Sequence, residues 1–107
     1  MTNFNDREKA FETKFARDEE MAFRVRARRN RLLGQWAARE MGLTEVEGEA
    51  YAKEVVRAEF EEAGDEDVVR KLLGDLTAAG VNIDEARIRA EMGHKDVDAR
   101  RQLMEAK

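Results

Sequence analysis

The chain has 107 residues, of which 41% are charged and 7% aromatic, with no proline and no cysteine. Without cysteine there is no disulfide scaffold, thiolate metal site or cysteine nucleophile, and without proline long uninterrupted helices are possible and a loop-rich enzyme is disfavoured. Acids exceed bases by four, so the molecule as a whole carries no bulk attraction for nucleic acid or anionic lipid. No apolar run reaches the length of a signal peptide or a membrane span, which reads as a soluble, cytoplasmic protein without direct membrane contact.

Taken in chain order, Asn5-x-x-Glu8 opens a first helix that nothing stops before Gly42. Thr44-x-x-Glu47 is a capping box, placing a second helix from about Glu45 to Gly64. Asp65 is the expected cap of a third helix, with Glu66 and Asp67 in its first turn, where the helix dipole favours acids, and Gly80 ends it. Asn82-x-x-Glu85 opens a last helix, in which Gly93 predicts fraying or a break around Gly93-His94. Apolar residues recur at helical spacing: Ala52, Val55, Val56, Phe60 and Ala63, then Val69, Leu72, Leu73, Leu76 and Ala79, then Ile88, Met92, Ala99 and Leu103. No segment alternates as a strand would. The expected fold is all-α, a four-helix bundle of antiparallel neighbours joined by short turns.

The first helix outgrows such a bundle. Helical from residue 6 to 41, it spans roughly 54 Å, whereas a compact domain of this length is about 35 Å across. Its apolar stripe runs through Phe4, Phe11, Phe15, Ala22, Val25, Leu32, Leu33 and Trp36, and is interrupted by Asp18 and Arg29. We therefore divide the chain into an N-terminal amphipathic segment, residues 1–18, which projects or is mobile, and a bundle, residues 19–107. The segment's charges cancel (Asp6, Arg7, Glu8, Lys9, Glu12 and Lys14), unlike the basic amphipathic helices that seek membranes. Burying its three phenylalanines supplies roughly 5–9 kcal/mol gross, against about 2–5 kcal/mol or more for ordering the segment. Binding in a protein groove is thus feasible, although periodicity alone favours packing of this stripe on the bundle.

Arg24, Arg26, Arg28, Arg29 and Arg31 make the strongest basic cluster. Of these, Arg24, Arg28 and Arg31 are candidates for gripping phosphate oxygens. At 100° per residue the five spread around the helix, however, and the acidic run Glu59, Glu61, Glu62, Asp65, Glu66 and Asp67 can pair with them; an internal charge network is the preferred reading, with Arg29 partly buried and paired. That acidic run lacks the spacing and glycine of a calcium loop, so no metal is expected. His94 stands alone as a surface residue and Trp36 belongs to the core. No nucleophile–base pair, glycine-rich phosphate loop or redox motif is visible, which argues against an enzyme.

Several segments resemble one known family: Phe4-Asn5-Asp6-Arg7-Glu8-Lys9-Ala10-Phe11-Glu12 with Lys14-Phe15; Ala27-Arg28-Arg29-Asn30-Arg31-Leu32-Leu33-Gly34 with Trp36-Ala37-Ala38; Tyr51-Ala52-Lys53-Glu54-Val55-Val56; and Phe60-Glu61-Glu62-Ala63-Gly64-Asp65-Glu66-Asp67-Val68-Val69-Arg70-Lys71-Leu72. These are similar to the zeta subunits of alphaproteobacterial ATP synthases, over roughly residues 1 to 90; the stretch from Gly93 to Asp98 is least similar. The resemblance implies a four-helix bundle without catalytic activity or cofactor, monomeric when free, and an N-terminal inhibitory segment of about Met1 to Ala16. It implies that this segment enters between the catalytic alpha and beta subunits of F1 and meets the gamma rotor, blocking ATP hydrolysis. Carried over by position, the F1 contacts are Phe4, Arg7, Phe11, Lys14 and Phe15. The resemblance also implies weak ATP or ADP binding, with Arg24, Arg28 and Arg31 as its candidates, so the alternative function is a weak adenine-nucleotide-sensing or structural helical module.

Overall fold

The computed structural model describes residues 18–59 and 64–105; the helices are α1 (Thr2–Glu40), α2 (Glu45–Glu61), α3 (Asp65–Ala78) and α4 (Glu85–Glu105). Among the described residues there is no strand, and no helix is long and apolar enough to cross a membrane. The all-α bundle is as expected. The expected first-helix box, Asn5 with Glu8, and the α2 stripe residues Phe60 and Ala63 lie outside the described residues.

Local chemistry sets most of the boundaries. α1 is stopped by the turn at Gly42, whose φ of 74° favours glycine. Around it the Leu43 amide donates to the Ala38 carbonyl and the Gly42 amide to Arg39, the paired bonds of a Schellman cap. Gly80, at φ 83°, repeats the pattern after α3, with Val81 donating to Leu76 and Gly80 to Thr77. The Thr44–Glu47 box forms as the spacing predicts: the Thr44 amide donates to Glu47 Oε1 at 2.9 Å and the Glu47 amide to Thr44 Oγ1 at 3.2 Å.

Three expectations are corrected. Asp65 is the first residue of α3 rather than its cap; Gly64, which has no side chain to cap with, holds the cap position at φ 123°, and the Asp65 carboxylate is engaged by Arg29 of α1. Asn82 does not open α4. Asp84 does, its Oδ1 accepting from the Arg87 amide at 2.9 Å one residue before the helix begins. Gly93 breaks nothing, since α4 runs on through it to Glu105.

α1 is the central element, packing chiefly on α2 and α4, while α3 touches all three of the others. The core is Leu33, Trp36, Ala37, Val55, Val68, Val69, Leu72, Leu76, Ile88 and Met92, with Tyr51 at its edge. The expected stripes supply most of these residues; Ala79, however, is exposed, and Val68 is buried in addition. Fully burying each aliphatic side chain contributes about 1.5–3 kcal/mol, so the seven fully buried ones, Leu33, Val55, Val68, Val69, Leu72, Leu76 and Ile88, fix how the helices meet. α1 and α2 cross where their side chains are smallest: Gly34 lies against Ala52, and Gly48 against Ala38.

Candidate functional site

Along the described part of α1 the environment changes abruptly. Residues 18 to 24 are all exposed; burial begins at Val25 and is continued by Arg29, Asn30 and Leu33. The arginine cluster therefore straddles the point where α1 meets the rest of the bundle.

Arg29 is the anchor of that junction. It is only 5% exposed, as the interrupted stripe predicts, and its Nη2 donates to Asp65 Oδ1 at 2.7 Å while Nη1 reaches Oδ2 at 3.4 Å. Glu59 lies within 3.5 Å of the same guanidinium and of Arg26, and accepts a hydrogen bond from buried Asn30. A guanidinium this buried is tolerable only with its donors satisfied; here two carboxylates, from α2 and α3, and the Asn30 side-chain oxygen satisfy them. Of the expected internal charge network, Arg26 and Arg29 meet the acidic run, at Glu59 and Asp65, while the other three arginines do not. Glu66 pairs instead with Arg89 of α4 at 2.7 Å and Asp67 with Arg70 at 3.1 Å, while Glu61 and Glu62 lie outside the described residues.

The candidate phosphate-gripping arginines take separate directions. Arg24 pairs with Glu20 along its own helix at 2.7 Å, Arg28 donates to Gln102 of α4 at 3.1 Å, and Arg31 meets Glu49 of α2 at 3.1 Å. The Gln102 contact was beyond sequence reasoning, because it joins residues 74 apart. The candidate F1 contacts Phe4, Arg7, Phe11, Lys14 and Phe15 lie outside the described residues.

Electrostatic tuning elsewhere serves the fold. Backbone and side-chain hydrogen bonds with Thr44 hold the Glu47 carboxyl below the usual carboxylate range, and the hydrogen bond from Arg89 does the same for Glu66. Burial pushes the Tyr51 phenol up, helped by its 2.7 Å hydrogen bond to Asp75, so it stays protonated. Burial alone would lower the Lys71 ammonium, but Asp75 and Glu54 outweigh it and raise it, and the ammonium sits 5.1 Å from the Tyr51 ring. Trp36 lies in the core as expected, with Arg87 6.0 Å from its ring, and His94 is an exposed residue near Glu91. Among the described residues no group of three or more acids and histidines gathers as a metal site would.

Fold and surface together define a small all-helical bundle whose first helix bears its charge cluster at the edge of the packed body. The chain belongs to the family of ATPase inhibitor subunit zeta, which it matches over residues 1–102. The role carried by that family's name is regulatory rather than catalytic. A solved chain described as "Solution NMR structure of the protein" is 47% identical, covering 81% of this chain and 99% of its own, with a TM-score of 0.72. No curated protein matches.

Proposed function

We propose that this chain inhibits the F1 portion of an ATP synthase by wedging its N-terminal helix between the catalytic alpha and beta subunits and against the gamma rotor. Residues 1 to about 18 do the inhibiting, through Phe4, Arg7, Phe11, Lys14 and Phe15, and the bundle that follows carries and orients them. The bundle itself performs no chemistry. The supporting observation is one of placement: the family match includes residues 1–18, and among the described residues of α1 positions 18–24 are exposed while Val25 is the first buried one. An amphipathic stripe such as Phe4, Phe11 and Phe15 can lie in a partner's groove.

The reading is tested by titrating isolated F1 with the full chain and following ATP hydrolysis. Phe11→Ala and Phe15→Ala should each weaken inhibition by roughly 1.5–3 kcal/mol, the burial worth of one such ring, or about 10- to 150-fold in apparent Kd. Their melting temperatures should hardly move. A large loss of stability with unchanged inhibition would assign these rings to the fold and defeat the reading.

A further inference from the structure

Of the described lysines and arginines, only Arg39, Lys53 and Arg57 make no ion pair or side-chain hydrogen bond. Arg39 has a local reason, since it sits in the last turn of α1 where the helix dipole favours a cation. Lys53 and Arg57 have none. They lie one turn apart in the middle of α2, exposed, in an arrangement that repels itself. Both line a groove of about 360 Å³ between α1 and α2, together with Arg31, Glu49 and half-buried Val56. Three cations thus face one carboxylate, in a chain where acids outnumber bases. The neighbouring cleft, which shares Val56, has the opposite excess, because Glu59 and Asp65 line it with Arg26 as its one cation.

We propose that the Arg31–Lys53–Arg57 groove is a second docking surface, taking an acidic segment of the ATPase whose carboxylates complete the pairing while an apolar side chain rests on Val56. The inference rests on the inhibitory reading, since it assumes that the ATPase is the partner. Geometry links the two surfaces: Arg24, Ala27 and Arg31 follow one another at helical spacing, so one face of α1 runs from its exposed stretch into the groove. Charges of this kind act mainly on the rate and salt dependence of association, which separates them from the inhibitory wedge.

The test measures association of the full chain with immobilised F1 at low and high salt, comparing the native sequence with Lys53→Glu/Arg57→Glu and with the milder Lys53→Gln/Arg57→Gln. Thermal melts accompany each, and because neither residue has a partner to lose, both variants should fold as the parent does. The glutamate pair should associate about tenfold more slowly at low salt with a flattened salt dependence, and the glutamine pair should fall between it and the parent. Association unchanged in both variants, with the native chain binding normally, would overturn the groove and leave the inhibitory reading standing. A native chain that does not bind F1 at all would overturn both. Saturating, localised shifts of the Lys53 and Arg57 amides on adding ATP, with F1 association unaffected by charge reversal, would assign the groove to a phosphate ligand and also overturn the proposal.

Discussion

A Cβ placed on Gly34 would lie 2.7 Å from the Ala52 Cα and 3.1 Å from the Val55 Cγ2, inside backbone that cannot swing aside. In a helix interior alanine is otherwise preferred to glycine by about 1 kcal/mol, so two effects oppose each other at this position. The contact wins, because relieving it means separating α1 from α2 over the Leu33 and Val55 contacts. Gly34→Ala should therefore destabilise the protein by about 1–3 kcal/mol, the usual range for overpacking. Gly74 and Gly93 are also helical, but a Cβ on either meets nothing within 4 Å. Gly74→Ala and Gly93→Ala should each stabilise by about 0.5–1 kcal/mol. Urea midpoints of the three variants check this directly, and a common sign for all three would show that the α1–α2 crossing is looser than the structure has it. Arg29 teaches a related lesson about single residues. Its place on an apolar stripe marked it as buried and paired, whereas which acids would pair with it depended on where α2 ends and α3 begins.

At the scale of the helix, what was legible in the sequence is what is decided within a few residues. The Thr44–Glu47 box and the glycines at 42 and 80 settle their boundaries by bonds spanning three to five residues. The misread starts of α3 and α4 were settled otherwise. Asp65 has the chemistry of a cap, but Arg29, 36 residues away, takes its carboxylate. Asn82 and Asp84 are both able to cap, and only the path of the chain after Gly80 puts Asp84 next to the helix. Gly93 reads as a weakness, yet in mid-helix with its neighbours packed by Met92 and Ala99 its propensity is simply overridden.

These helix ends also carry a pH dependence whose sign is fixed. Glu47 and Glu66 both have carboxyls held below their ordinary value in the folded protein. Between the folded and unfolded values the folded state binds fewer protons, so their stabilisation is present above the ordinary carboxylate value of about 4.3 and is lost as pH falls through the depressed one. Urea midpoints should stay level near neutrality and decline below about pH 4.5. Glu47→Gln keeps an acceptor for the Thr44 amide, so it should flatten part of the acid decline while changing the midpoint little at pH 7. Glu66→Gln removes the Arg89 pair and should flatten a further part. An acid decline of the same steepness in the double variant would place its origin in other carboxylates.

For the molecule as a whole, the decisive feature is that the helix is divided by environment rather than by a break. Helix α1 is a single element by its bounds, while its described residues pass from exposed at 18–24 to fully buried at Leu33. Periodicity alone could not reveal this, because the apolar stripe continues across the change; its traces in the sequence were the length of the helix and the interrupting charges Asp18 and Arg29. Downstream of Val25 the residues are held by the core and by the Arg29–Asp65–Glu59 network. A chain beginning at Glu19 retains all of these contacts and should keep its helical circular dichroism and cooperative melting. The most direct test is then ATP hydrolysis by isolated F1 with increasing amounts of either the full chain or the chain beginning at Glu19. The account predicts that the full chain inhibits in a saturable way and that the shortened, folded chain leaves hydrolysis at its starting rate. Inhibition of equal strength by both would contradict it.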